Sequence, residues 1–285
     1  MSAGESIPGR FAVVGNPIQH SKSPAIHAAF AAQSSRQIDY RAELVAEDQF
    51  EAWVGRFFEQ GGRGLNVTLP FKTRAFELAD QVSTRAQMAG AAHFLMQDAA
   101  GEIVADNTDG KGLVADMTAG AGWSLTGARI LLVGAGGAVK GVIPSLLDAG
   151  PANILVVNRS ADRAESLAVL WRQQGASVQG GGLELAASGE WDVVINGTST
   201  GLSGEMPPLP EDLALAAGCC CYDMAYADKP TAFMAWARER GVSEVRDGLG
   251  MLVEQAAESF LLWLGDYPDT APVINALRAA QQSPH

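Results

Sequence analysis

Positive charge is scarce in this chain. Its 285 residues carry 20 Lys and Arg against 32 Asp and Glu, a formal net charge of -12. A nucleic-acid binder needs basic surface to neutralise phosphates, so no nucleic-acid partner is expected. Cysteine is scarcer still, and the only three, Cys219, Cys220 and Cys221, are consecutive. Neighbours in a strand cannot build a disulfide framework, and three in a row lack zinc-site spacing. They are expected as small apolar residues of a strand, in a reducing cytoplasm. The histidines at 20, 27, 93 and 285 add no metal-ligand spacing, so no metal is expected. No apolar run reaches the roughly 18 residues of a membrane helix, and the N-terminal MSAGESIPGR lacks a signal peptide's apolar core. With 47% hydrophobic and 18% charged residues the composition suits a globular enzyme, and its length suits two domains.

Strands and helices alternate, which predicts an α/β protein. The first part reads as strand 10–14, helix 24–33, strand 39–45, helix 47–59 and strand 63–68. Short helices at 72–79 and 83–89 precede a hairpin of apolar strands at 92–97 and 102–106. A helix over 109–120 leads to the connector Trp123-Ser124-Leu125-Thr126-Gly127. The second part reads as strand 129–133, helix 137–149, strand 153–157, helix 161–173 and a weak strand at 176–179. A loop at Gly180-Gly181-Gly182, strands 192–196 and 219–223, helix 230–240 and strand 243–246 follow. Helices 250–264 and 270–281 finish the chain.

The strand Ile130-Leu131-Leu132-Val133 runs straight into Gly134-Ala135-Gly136-Gly137-Ala138. Glycine there lets backbone amides approach a pyrophosphate, and the following helix start adds partial positive charge. Val139 holds the third fingerprint position, usually Gly or Ala, and Val142, Ile143, Leu146 and Leu147 continue the helical spacing. The next strand, Ile154-Leu155-Val156-Val157, ends in Asn158, Arg159 and Ser160, with Arg163 one turn on. NAD-binding proteins place Asp or Glu at that tip, on the ribose 2′-hydroxyl. Here guanidinium groups stand instead of a carboxylate. The expected cofactor is therefore NADP, its 2′-phosphate held locally in an acidic protein.

Three stretches of the first part cluster polar residues where a strand should end. In Gly15-Asn16-Pro17-Ile18-Gln19-His20-Ser21-Lys22-Ser23-Pro24, the serines either cap the helix that Pro24 opens or hold a carboxylate or hydroxyls at its N-terminus. In Gly64-Leu65-Asn66-Val67-Thr68-Leu69-Pro70-Phe71-Lys72, Asn66 and Thr68 share one face of a strand. Asp106-Asn107-Thr108-Asp109-Gly110 opens a helix.

These stretches resemble those of the shikimate dehydrogenase family. GNPIQHSKSP, GLNVTLPFK, DNTDGKG, LLVGAGGA, NRS, NGTSTG, YDMAY and GLGMLVEQAAESFLLW stand in family order over residues 15 to 263. The resemblance implies an NADP-dependent oxidoreductase of aromatic amino acid and chorismate biosynthesis. Its members oxidise the 3-hydroxyl of shikimate, a cyclic hydroxy acid, to 3-dehydroshikimate and reverse the reaction. It implies two α/β domains: a substrate-binding and catalytic domain over 1–108 plus 250–285, and a Rossmann-type doubly wound NADP domain over 109–249, with a cleft between. Lys72 and Asp109 match the catalytic pair. Ser21, Ser23, Asn66, Thr68, Thr108, Tyr222 and Gln255 match substrate-binding positions. Asn158, Arg159 and Ser160 match the adenosine-phosphate site, and Thr198, Met224, Gly248 and Met251 the ribose or nicotinamide end. Gly248 and Gly250 suit a hinge or punctuate a helix start.

The expected chemistry moves a hydride to the nicotinamide and the hydroxyl proton to Lys72, which Asp109 positions. A free lysine titrates near 10.4, too high for a good base at neutral pH. Burial favours its neutral form and a carboxylate its charged one.

The chain departs from the family at His93, where asparagine usually bonds a substrate hydroxyl. Two readings stand open: a substitute that bonds the same hydroxyl, or a changed substrate such as quinate or an aminated analogue. Gly197-Thr198-Ser199-Thr200-Gly201 matches the G-x-S-x-G nucleophile elbow. The only downstream histidine is the terminal His285, and a proline-rich loop follows instead of a helix, which argues against a hydrolase. A non-catalytic NADP sensor would keep Arg159 and the glycine turn without needing Lys72 and Asp109. A monomer and a homodimer are equally compatible with the sequence.

Overall fold

The computed structural model describes residues 9–34, 36–198, 200 and 205–282. The chain forms two compact units, Met1–Gly112 with Val253–Leu277, and Leu113–Leu252 with Arg278–His285. The expected division kept all of 250–285 with the first unit. Residues after 277 go with the second, where Arg278 donates to Asp247.

The first unit comprises β1 (Gly9–Gly15), α1 (Ser23–Gln33), β2 (Ile38–Leu44), a 3-10 turn (Glu47–Gln49), α2 (Phe50–Glu59), β3 (Gly62–Val67), α3 (Lys72–Glu77) and β4 (Gln81–Val82). Then come α4 (Thr84–Ala89), β5 (Phe94–Gln97), β6 (Ile103–Asp106) and the start of α5 (Asp109–Ala115). Its sheet has the order β2-β1-β3-β5-β6-β4. β1 is apolar at successive positions because both faces are covered. Ala12 and Val14 join Leu65 and Val67 in a core with Phe50, Val54, Phe57 and Phe58 of α2. Phe11 points the other way and meets Trp263 of α9 (Leu249–Leu264), ring centroids 5.0 Å apart. Trp263 lies so close over Gly64 that a Cβ there would stand 2.1 Å from its indole nitrogen.

His27 is fully buried in this aromatic layer and lies 4.1 Å from Tyr40, nearly parallel to it. Among the described residues neither ring nitrogen has a partner within hydrogen-bond geometry, and burial, outweighing the nearby Asn66 amide, pushes the imidazole down to about 3.

The second unit comprises β7 (Arg129–Val133), α6 (Gly137–Asp148), β8 (Asn153–Val157), α7 (Ala161–Arg172), β9 (Val178–Gly181), a 3-10 segment (Leu183–Ser188) and β10 (Glu190–Asn196). β11 (Ala214–Asp223), α8 (Ala232–Glu239) and β12 (Glu244–Asp247) follow; the last described helix, α10 (Ala271–Gln282), belongs to the first unit as far as Leu277. The sheet order is β12-β11-β10-β7-β8-β9, and every pairing is parallel. Leu131, Val133, Leu155, Val157, Cys219 and Cys221 face one side with Phe233 and Ala237 of α8. Ile130, Leu132, Ile154 and Val156 face the other by the two-residue period and are equally buried. Among the described residues no helix is long and apolar enough to cross a membrane.

Two elements differ from expectation. The predicted loop at Gly180-Gly181 is the end of β9, because strand and α7 approach too closely for a side chain: a Cβ on Gly180 would stand 2.1 Å from the Ala164 carbonyl oxygen. The predicted helix over 109–120 is α-helical only to Ala115, and Asp116–Gly120 form a π turn. The wider turn coincides with the buried Asp116, which accepts from Tyr222 at 2.7 Å and from Arg246 at 3.0 Å.

Two stability outcomes follow from this packing. Gly180→Ala meets rigid backbone and should lower stability by about 1–3 kcal/mol in chemical denaturation. Gly181→Ala meets only the flexible Leu185 tip and should cost less. His27 has its imidazole lowered in the folded chain, so its contribution is full above about pH 6.5 and is lost as pH falls toward 3. Between pH 7 and 5 the wild type should lose about 2 kcal/mol more than His27→Phe. Equal losses would show that the imidazole is not buried neutral.

Candidate active site

Strand direction gathers the polar stretches of the first unit. β1 and β3 are parallel, β5 runs against β3, and β6 runs against β5. The carboxyl ends of β1, β3 and β6 and the amino end of β5 therefore share one sheet edge. From that edge come Ser21 and Ser23 after β1, Thr68 and Lys72 after β3, His93 before β5, and Thr108 and Asp109 after β6. Ligands of α/β sheets bind outside such carboxyl ends.

Lys72 is the first residue of α3 and Asp109 the first of α5. The Lys72 ammonium donates to Asp109 Oδ2 at 2.6 Å, with side chains 30% and 12% exposed. Burial alone would raise the Asp109 carboxyl. The Lys72 charge, then His93 in its charged form at low pH, and the Lys72 hydrogen bond outweigh it and bring it down to about 2, so Asp109 is a carboxylate at neutral pH. Local bonds fix its place. Its amide donates to Asn107 Oδ1 at 3.1 Å, and Asn107 Nδ2 donates to the Ala91 carbonyl. Asp106, just before, is buried and paired with Arg85 and Ser83.

His93 Nε2 accepts from the Thr108 amide at 2.8 Å and stands 3.6 Å from Asp109 Oδ1. The Thr108 hydroxyl donates to the Gln255 carbonyl at 2.9 Å, which brings α9 to the same network. Asn66 Oδ1 accepts from Tyr40 at 2.6 Å, while Nδ2 reaches Ser259 at 3.0 Å and the His93 carbonyl at 3.4 Å. The Thr68 amide donates to Val14, tying its loop to the end of β1. The serines do not cap α1: the N-cap is Lys22, without a side-chain cap bond, and Ser21 Oγ accepts from the Ser23 amide at 3.3 Å. Hydrogen bonds thus join Lys72 to Asp109, and Thr108 to His93 and Gln255. Asn66 reaches the His93 carbonyl, and Ser21, Ser23 and Thr68 lie on the same edge. Sequence reasoning missed Tyr40, Arg85 and Ser259, which orient these groups. Their partners lie far off in sequence, so no spacing could have named them.

In the second unit the cofactor candidates also collect at one edge. Gly134, Ala135, Gly136, Gly137 and Ala138 follow β7, and Asn158, Arg159, Ser160 and Arg163 follow β8. Thr198 follows β10, Met224 follows β11, and Gly248 and Met251 follow β12. The chain continues from β7 to β8 on one side and returns to β10 on the other, which makes the β7–β10 gap the switch point where nucleotides bind. The residues present fit a dinucleotide. Gly134 has φ +111°, and a Cβ there would stand 3.1 Å from the Gly197 carbonyl. At Gly136 and Gly137 a Cβ would meet only open space, and α6 starts with no side-chain cap, so its first amides stand free for a phosphate. Arg159 and Arg163 are exposed and have no ion-pair partner among the described residues, as a 2′-phosphate site requires. Asn196 Oδ1 accepts from both the amide and the hydroxyl of Thr198, which fixes that loop. Gly248 leaves room for the Met224 carbonyl, which a Cβ would meet at 2.2 Å.

Tyr222 corrects an expectation. It was expected on substrate, but it is fully buried within β11 of the second unit. Its hydroxyl donates to Asp116 Oδ2 and accepts from the Met251 amide at 3.3 Å, so it anchors the start of α9 instead. Tyr226 of the same YDMAY motif lies past the carboxyl end of β11. It is half-buried and has no hydrogen-bond partner among the described residues. Ser199, Gly201 and His285, on which the hydrolase reading would rest, lie outside the described residues.

Comparison with known proteins agrees with this geometry. The family described as "Shikimate dehydrogenase substrate binding domain" matches residues 13–95. "Shikimate / quinate 5-dehydrogenase" matches 114–202 and "Shikimate 5'-dehydrogenase C-terminal domain" matches 248–278. The chain is 54% identical over 269 residues to a shikimate dehydrogenase (NADP(+)) of Alkalilimnicola ehrlichii, covering 94% of this chain and 98% of the relative. Among solved structures, an Ael1 enzyme from Pseudomonas putida superposes with a TM-score of 0.89 at 44% identity, covering 94% of this chain and 98% of that one. A shikimate 5-dehydrogenase from Thermus thermophilus in complex with NADP(H) and shikimate does so with 0.83 at 34% identity, covering 95% and 99%. With family models matched along the chain and a relative 54% identical over nearly its whole length, the chain belongs to the shikimate dehydrogenase family.

Proposed function

We propose that this protein interconverts shikimate and 3-dehydroshikimate with NADP, and that Lys72 and Asp109 handle the hydroxyl proton. The 2.6 Å ion pair between them, half-hidden from water at an edge lined with hydroxyl and amide groups, carries the reading. A non-catalytic sensor would have no use for that pair.

The bound dinucleotide supplies the hydride acceptor in one direction and the donor in the other. Lys72 meets the charge that develops on the substrate oxygen. During reduction its ammonium gives a proton to the ketone oxygen, and during oxidation the amine takes it back. Asp109 keeps the amine aimed through Oδ2 and offers Oδ1 to the substrate hydroxyl. Ser21 and Ser23 hold the carboxylate, and Thr68 and Gln255 take further hydroxyls. The guanidinium groups of Arg159 and Arg163 hold the 2′-phosphate. The cysteines are free thiols, which fits a cytoplasmic setting.

NADPH oxidation with 3-dehydroshikimate, followed at the nicotinamide absorbance, tests the reaction directly. Absence of turnover would end this reading. Lys72→Ala should lower kcat by about 10²–10⁴-fold, the usual worth of acid–base help, with NADP affinity unchanged. Arg159→Ala should weaken NADP by about 10- to 100-fold, the value of a charge-assisted hydrogen bond, and leave NAD binding nearly alone. Parallel titrations with the two dinucleotides would read that difference, and equal losses would place the arginine elsewhere.

A further inference from the structure

His93 stands between Thr108 and Asp109 in the candidate site, and its surroundings limit what the ring can do. It is 3% exposed. Its Nε2 has three neighbours: the Thr108 amide at 2.8 Å, the Thr108 hydroxyl at 2.9 Å and Asp109 Oδ1 at 3.6 Å. A hydroxyl hydrogen can rotate toward either of two acceptors, and the Thr108 hydroxyl has the Gln255 carbonyl 2.9 Å away. A peptide hydrogen cannot rotate. The Thr108 N–H aimed at Nε2 therefore requires a lone pair there, and the ring proton must sit on Nδ1.

We propose that His93 is a positioning residue: a neutral, Nδ1-protonated imidazole whose Nε2 accepts the Thr108 amide and so holds Asp109 with its Oδ1 open to the substrate hydroxyl. This rests on the reaction assigned above. The consequence for Asp109 is specific. One oxygen, Oδ2, is taken by Lys72. The other faces a lone pair rather than a donor, and no described residue donates to it. An imidazolium would reverse this: Nε2–H would turn on Oδ1 and compete with substrate. The charged groups around the ring are Lys72 on α3, Asp109 on α5, and Asp106 at the end of β6, which Arg85 of α4 already pairs. Burial pushes the imidazole down, Asp109 pulls it up, Lys72 pushes it down again, and the net value is about 4. The neutral form thus prevails at neutral pH. The ring is no partner of a substrate hydroxyl; it fixes the turn that presents the carboxylate.

Long-range 1H–15N correlation spectra of the labelled wild-type protein between pH 6 and 8 test this without substrate. His93 is assigned by the signal missing from His93→Gln. The neutral Nδ1-protonated pattern is expected throughout, and an Nε2-protonated or imidazolium pattern would overturn the proposal. Kinetics supply the second arm. His93→Leu fills the space without an acceptor and should lower kcat by about 10- to 100-fold, as misplacement of a catalytic group does, with KM for shikimate little changed. His93→Gln, whose side-chain oxygen reaches the place of Nε2, should recover most of that loss. A raised KM with kcat intact in His93→Leu would show that the ring touches substrate and would also overturn it. A wild type that fails to turn over shikimate would remove the assigned reaction, while the imidazole assignment still stands or falls on its own spectrum.

Discussion

A carboxylate shut away from water must find a cation or give up its charge, and Asp109 has found Lys72. The pair would matter little in solvent, where an exposed ion pair contributes little to stability. Behind the first turns of α3 and α5 it is half-buried, and attraction outweighs the penalty of burial. Everything else at this edge keeps that arrangement in place. Asn107 caps the Asp109 amide, Arg85 holds Asp106 beside it, and His93 holds Thr108. Such bracing is expected where small displacements of a reacting group are costly.

Asp116 shows the same physics with the opposite balance. It too is buried, with Tyr222 and Arg246 as partners, yet burial wins and its carboxyl lies above the usual range. Asp109 has a direct 2.6 Å bond to a full charge, whereas Asp116 shares a guanidinium with the Gly120 carbonyl and otherwise depends on a phenol. Asp116 works as a brace. It shapes the π turn, and it is so close to Gly250 that a Cβ there would stand 2.1 Å from its oxygen.

The nucleotide unit depends on absence of side chains. Gly134 and Gly248 stand where a Cβ would crowd backbone, Gly197 where it would meet the Val139 and Met224 side chains, and Gly136 and Gly137 leave open the ground before α6. In the proposed reading, phosphate is met by amides that no described side chain caps, and its extra charge by Arg159 and Arg163. An acidic protein can hold a highly anionic cofactor this way because the attraction is local.

Much of this was legible before any coordinates. The order of strands and helices, the glycine turn, the arginines in place of a carboxylate, and the motifs holding Lys72 and Asp109 all follow from local pattern, because period, turn chemistry and phosphate recognition are short-range. The π turn, the strand through Gly180 and the commitment of Tyr222 to Asp116 were not legible. Each is settled by a contact between residues far apart in sequence, and spacing carries no record of such contacts. The chain alone determined which groups were available for the chemistry; only folding decided which oxygen of Asp109 stays open and which tyrosine is used up as a brace, because burial and distance exist only once the strands have been brought side by side.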